Sequence, residues 1–186
     1  MEQITLFHGS LTSGIDEFRP LSHFGSKLQA FRIMVAKAAL DGDKGEPVLY
    51  ECTMSVNQDQ FKMVKDAGSP NHQAICYIYC LNLDLEQEFR ELCRKTDKPN
   101  GPIWINGINE IAERHNHKLL SYKNVVEGDD LSYCLLDPSI ITEIKEKSLS
   151  WKEVATTCLK HPDNECRTLE EDLIKINMFL EEMRNS

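Results

Sequence analysis

Three carboxylates crowd into one short turn, Glu127-Gly128-Asp129-Asp130. Strand-forming residues flank it at 119–126 and 132–136, and a glycine that tolerates positive φ suits a tight turn between them. We expect a hairpin in which Glu127 ends one strand and Ser132 begins its neighbour, so that the acids gather at one end of a sheet. Carboxylates on such a scaffold can stabilise positive charge that develops in a reaction. A solvated acidic turn is the alternative interpretation.

The composition bounds the possible partners of the chain. It has 186 residues, of which 41% are hydrophobic and 27% charged, as in an ordinary soluble protein of one domain. The net charge of −9 argues against non-specific binding to nucleic acid, because there is no excess of basic residues to neutralise phosphates. It mildly favours a protein partner with a basic patch.

Seven scattered cysteines indicate reduced thiols in a cytoplasmic setting, since an odd number cannot form a complete disulfide framework. The first ten residues lack the basic and apolar regions of a usual signal peptide. No apolar stretch reaches the ~18 residues of a membrane span. A secreted effector that acts in a host cytosol, exported through some other signal, is the alternative localisation.

Hydrophobic periodicity predicts the elements that must position the acidic turn. We expect strands at 4–7, 47–56 and 74–83, the last being the most strand-like segment of the chain. Helices are predicted at 25–40, 85–94 and 103–114, and Ser26 is the expected N-cap of the first. An amphipathic helix should follow a capping box at Thr168 and Glu171. The pattern is that of an α+β protein with a helical C-terminal segment.

Two motifs near the N-terminus complete an ordered trio with the hairpin. The first strand ends in His8-Gly9-Ser10, and a second motif, His23-Phe24-Gly25-Ser26, opens a helix that carries Gln29-Ala30. The trio resembles the ADP-ribosyltransferase superfamily, specifically its diphtheria-toxin-like branch and the phage polyvalent-protein and bacterial-effector enzymes within it. The resemblance covers residues 4–36 and about 103–144. The residues that match the C-terminal motif are Tyr122, Asn124, Glu127, Ser132, Tyr133, Asp137, Pro138, Ser139 and Ile141.

The resemblance implies a fold and an activity. The fold would be an ADP-ribosyltransferase-like split antiparallel β-sandwich with flanking helices, occupying residues 1–146, with residues 147–186 as a helical extension packed on it. The activity would be mono-ADP-ribosyl transfer from NAD to a protein side chain, with release of nicotinamide. Two alternatives remain: a degenerate fold that acts as a protein-binding module, and an NAD glycohydrolase toxin that uses water as its only acceptor.

The resemblance also implies the residues of the site. Glu127 would be the main catalytic acid, with Asp130 next, and His8 would hydrogen-bond a ribose without having to titrate. Cleavage of the glycosidic bond of NAD passes through an oxocarbenium-like state that a carboxylate can stabilise. Phe24 or Phe31 would stack on the leaving ring. The full set expected to bind NAD is His8, Gly9, Ser10, His23, Phe24, Ser26, Phe31, Tyr122 and Ser132.

The chain departs from the family pattern at two positions. His23 stands where the second motif commonly has a tyrosine, and it offers a smaller stacking face. Ser132 stands where a glutamate directly precedes the tyrosine of the late strand, so activity would have to rely on Glu127 or Asp130 across the turn. No metal is expected, because Cys158, His161 and Cys166 lack a fourth ligand at zinc spacing.

Overall fold

The computed structural model describes residues 2–65, 71–96, 101–123, 130–161 and 170–186. The chain is mixed α+β, with largely antiparallel sheets, which confirms the predicted fold class at that level. The strands of the described ranges are β1 (Glu2–Ser10), β2 (His23–Phe24), β3 (Val48–Val56), β4 (Phe61–Met63), β5 (Leu119–Lys123), β6 (Leu131–Leu135) and β7 (Ile141–Ser148). The helices are α1 (Lys27–Ala36), α2 (His72–Leu81), α3 (Glu86–Lys95), α4 (Pro102–Arg114), α5 (Trp151–Lys160) and α6 (Glu170–Asn185).

The strands form two small sheets. One has the order β1-β3-β7, and the other has the order β2-β6-β5-β4, in which only the β4–β5 pairing is parallel. The sheets meet where Phe7 of β1 bridges Gly25, the residue after β2, through two backbone hydrogen bonds of 2.9 Å. This bridge places the first motif, which begins one residue later at His8, beside the second motif.

The hairpin forms as an antiparallel β5–β6 pair, but its register differs from the predicted one. The predicted neighbour of Ser132 across the turn is Glu127, whereas the residue opposite Ser132 is Tyr122. β5 ends at Lys123 within the described residues. The predicted strand residues Val125 and Val126, and the acids Glu127 and Asp129, lie outside the described residues.

The strand predicted at 74–83 is wrong, because this segment is helix α2. Its buried residues are Ile75, Cys76, Tyr79 and Cys80, which recur at helical spacing, and Asn71 caps the helix by accepting a hydrogen bond from the backbone N–H of Gln73. A continuous apolar run of this length suits a buried strand and a buried helix equally well. The segment is a helix because its apolar residues pack against α4 and the second sheet in one core cluster.

The C-terminal helices pack on the N-terminal helix. α5 and α6 share a core cluster with α1, in which Phe31, Met34 and Val154 are almost fully buried. The boundary predicted between 146 and 147 falls inside β7, an edge strand that pairs with β3 and continues to Ser148. Within the described ranges, no helix combines the length and the apolar character needed to cross a bilayer.

Candidate functional site

A cavity of about 510 Å³ lies where the two N-terminal motifs converge. Its walls come from the ends of β1 and β2, residues 19–22, one face of α1, and His72 and Ile105 from α2 and α4. This volume is within the range of small-molecule sites in proteins. His8, Gly9, His23 and Phe24, all predicted from the motifs, line it together.

His8 is held in one orientation by the second motif. Its Nδ1 lies 2.7 Å from the backbone carbonyl oxygen of His23, so Nδ1–H donates and Nε2 is left as an acceptor when the ring is neutral. The ring packs against Phe18 and Phe24, with centroids 5.0 and 5.6 Å away. Burial lowers the pKa of His8, the hydrogen bond to His23 opposes that effect, and the charge of Lys37 adds to it. The neutral ring therefore predominates at pH 7.

His23 is a partly buried, neutral member of the cavity wall. Its Nδ1 lies 2.6 Å from the hydroxyl oxygen of Tyr122, and its ring stacks on His72 with centroids 4.6 Å apart. Burial lowers the pKa of His23 to about 3, and the nearby His72 and His8 contribute in the same direction. Nε2 of His23 is buried without a hydrogen-bond partner among the described residues. Tyr122 is itself 1% exposed, so it supports His23 from behind and does not line the cavity.

Gly9 is required by packing. A Cβ at this position would lie 2.0 Å from the backbone oxygen of Ala30 and 2.9 Å from Cγ of Met34. The absence of a side chain lets β1 lie directly against α1. Gly9 and Ala30, which meet at this contact, both line the cavity. A small residue at a strand end therefore marks a close approach of two elements in this chain.

Three of the predicted binding residues have structural contacts and do not line the cavity. The Ser26 hydroxyl accepts from the N–H of Gln29 and so caps α1, and the Ser10 hydroxyl accepts from the N–H of Thr12. Phe31 is 1% exposed in the cluster that α1 shares with the C-terminal helices. Of the two aromatic candidates for stacking on a ligand ring, Phe24 is the one that lines the cavity.

Gln29 connects the second N-terminal motif, at the start of α1, to strand β6. Its Oε1 accepts from the backbone N–H of Ser26 at 2.7 Å, while its Nε2 donates to the backbone oxygen of Asp130 at 3.1 Å and to the hydroxyl of Ser132 at 3.0 Å. The side chain is 2% exposed and lines the cavity. The sequence signal was the Ser-x-x-Gln spacing of a capping box, which gives the bonds to α1 but not those to β6.

The predicted acids have different positions. Asp130 is exposed and directly precedes β6. Its backbone oxygen, not its carboxylate, accepts the hydrogen bond from Gln29. Ser132 is fully buried behind the cavity wall. Glu127 lies outside the described residues, as does Cys166, whereas Cys158 is buried in the core between α1 and α5. Among the described residues that line the cavity, none is acidic.

Comparisons with known protein families, with curated proteins and with solved structures found no match.

Proposed function

We propose that the protein is a mono-ADP-ribosyltransferase that cleaves NAD and transfers ADP-ribose to a protein side chain. The observation that carries the proposal is the meeting of the two N-terminal motifs in one cavity, where the backbone of His23 fixes a neutral His8. A neutral imidazole at a strand end suits the hydrogen bonding of a hydroxyl-rich ligand, because its free nitrogen accepts without carrying charge.

The arrangement of the strands supports the same proposal. Two small sheets that meet at the Phe7–Gly25 bridge are what a split β-sandwich requires. The bridge brings β1 beside β2, and β2 in turn pairs with β6. The part of the C-terminal motif that lies on β6 is therefore next to the two N-terminal motifs.

Each group has a defined role in the proposed reaction. The bond between the ribose and nicotinamide breaks, a nucleophile of the acceptor protein forms the new bond to that carbon, and the acceptor loses a proton. His8 accepts from a ribose hydroxyl through Nε2, and Phe24 provides an apolar surface for the leaving ring. Glu127 supplies the negative charge that stabilises the oxocarbenium-like state. Gln29 holds the start of β6, which follows the segment that contains Glu127.

The experiment is a measurement of nicotinamide release from NAD by the purified chain, with chromatographic quantification. Loss of a group that stabilises charge in the transition state costs about 100- to 1,000-fold in rate, so Glu127→Gln should lower release by that factor. The control is Glu182→Gln, which makes the same change at an exposed position of α6 and should leave the rate unchanged. No nicotinamide release by the parent chain would overturn the proposal.

A second candidate function rests on Ser132, which is buried at the position where the resemblance expects a glutamate. In that case the chain is a degenerate transferase that binds a protein partner. NAD binding without turnover, and equal partner binding by the parent chain and Glu127→Gln, would favour this candidate. If nicotinamide is released but free ADP-ribose is the sole other product, the enzyme is a glycohydrolase.

A further inference from the structure

The charge of the cavity is opposite to that of the chain as a whole. The chain carries 30 acidic and 21 basic side chains, for a net charge of −9. Among the described residues that line the cavity, the charged ones are Arg19 and Lys37, and both are basic. A local positive field in a cavity attracts an anionic ligand that the rest of the surface repels.

These two cations come from different parts of the chain but line the same cavity as His8. Arg19 follows Phe18, whose ring packs on the His8 ring at 5.0 Å. Lys37 directly follows α1, and its charge is close enough to His8 to lower the pKa of the imidazole. The cavity therefore combines two positive charges with an uncharged hydrogen-bonding ring.

Within the described part of the chain, neither cation has an ion pair with a carboxylate. Basic residues on other faces do have such pairs, for example Lys118 with Asp137 at 2.8 Å and Lys145 with Glu143 at 3.0 Å. A cation that has no ion pair with a carboxylate keeps its donors available for a ligand.

We infer that Arg19 and Lys37 bind the diphosphate of a nucleoside diphosphate ligand in this cavity. The inference deepens the proposed function, on which it rests, since the diphosphate would be that of NAD. A guanidinium group matches phosphate oxygens in a bidentate fork, and an ammonium group adds a point charge without a fixed geometry. Arg19 thus orients the diphosphate, and Lys37 adds attraction beside His8.

The test is calorimetric titration of the parent chain, Arg19→Gln and Lys37→Gln with NAD, ADP and adenosine. A hydrogen bond to a charged group contributes enough to change affinity by about tenfold or more, so each substitution should weaken NAD and ADP by that factor. The affinity for adenosine should not change, because it has no phosphate. Matched controls are Arg94→Gln on α3 and Lys152→Gln on α5, both exposed and away from the cavity.

The ligands separate failure of the inference from failure of the proposed function. If the parent chain binds NAD and both variants bind it equally well, the inference is wrong and the proposed function stands. If ADP binds in a manner that depends on Arg19 and Lys37 but NAD does not bind, the inference holds and the transferase proposal falls. If the parent binds neither nucleotide, both are overturned.

Discussion

Replacement of Gln29 by methionine should destabilise the fold, because one buried amide joins α1 to β6. The substitution keeps the length of the side chain but removes three hydrogen bonds, to the backbone N–H of Ser26, the backbone oxygen of Asp130 and the hydroxyl of Ser132. Gln29 is 2% exposed and Ser132 is 0% exposed, so water cannot readily replace the lost bond between them.

The magnitude follows from how accessible each partner is. Ser26 and Asp130 are partly or fully exposed and can regain water, so each lost bond costs about 0.5–1 kcal/mol. The Ser132 hydroxyl loses its Gln29 donor, and a hydrogen bond between neutral groups contributes about 0.5–1.5 kcal/mol. The three losses together lower the unfolding free energy by about 1.5–3.5 kcal/mol. For a chain of this length that loss corresponds to a fall in Tm of about 3–14 °C.

Urea denaturation followed by circular dichroism measures the loss, and Gln87→Met is the matched control. Gln87 is an exposed glutamine in α3, and surface substitutions of this kind change stability by about 0.5 kcal/mol or less. Equal stability of Gln29→Met and Gln87→Met would refute the idea that the Gln29 amide joins α1 to β6. Because Gln29 holds the start of β6, we also expect Gln29→Met to slow nicotinamide release.

Three further predictions concern protons, packing and thiols. The folded-state pKa values of His8 and His23 are lowered, the latter to about 3, so the unfolded chain binds more protons below pH 6.5. The unfolding free energy should therefore fall between pH 7 and pH 4, and His23→Gln should flatten that profile in urea titrations; an unchanged profile would contradict it. Gly9→Ala, whose Cβ would meet the α1 backbone at 2.0 Å, should destabilise far more than Gly14→Ala. The latter strains only a left-handed backbone, at about 1–2 kcal/mol, and thermal melts that rank the two equally would refute the close packing. Cys93 should react first with a thiol reagent among the described cysteines, because the others are buried; faster labelling at another of these positions, read by peptide mass spectrometry, would contradict this.

Elements with strong local signals could be predicted from the sequence. Ser26 and Gln29 specify the start of α1 through their spacing, and the structure contains both bonds of that capping box. The strand at 47–56 and the helix at 103–114 agree with β3 and α4 to within one or two residues. In each case the periodicity of the residues alone distinguishes a helix from a strand.

Elements that depend on distant partners could not be predicted. The apolar residues of 74–83 include Ile75 and Tyr79, which favour strands, yet packing against α4 makes the segment a helix. Hydrophobic periodicity does not predict β7, because most of its side chains are exposed, as expected of an edge strand that depends on pairing with β3.

The candidate site likewise has some residues that local motifs predict and others that depend on distant contacts. The motifs identified His8 and His23, but the bonds from Gln29 to β6 and the presence of Arg19 and Lys37 in the cavity depend on contacts between elements far apart in the chain. Sequence spacing carries no information about such contacts when no single motif spans them. The predicted hairpin register failed for a related reason, since the turn pattern does not fix which residue faces Ser132.

A crystal structure of the chain with bound NAD tests the central claim most directly. We expect density for the dinucleotide in the cavity between β1, β2 and α1, with a ribose hydroxyl within hydrogen-bond distance of Nε2 of His8. We also expect the carboxylate of Glu127 beside the ribose that carries nicotinamide. NAD bound elsewhere on the protein, or Glu127 on the opposite side of the molecule from His8, would contradict the account.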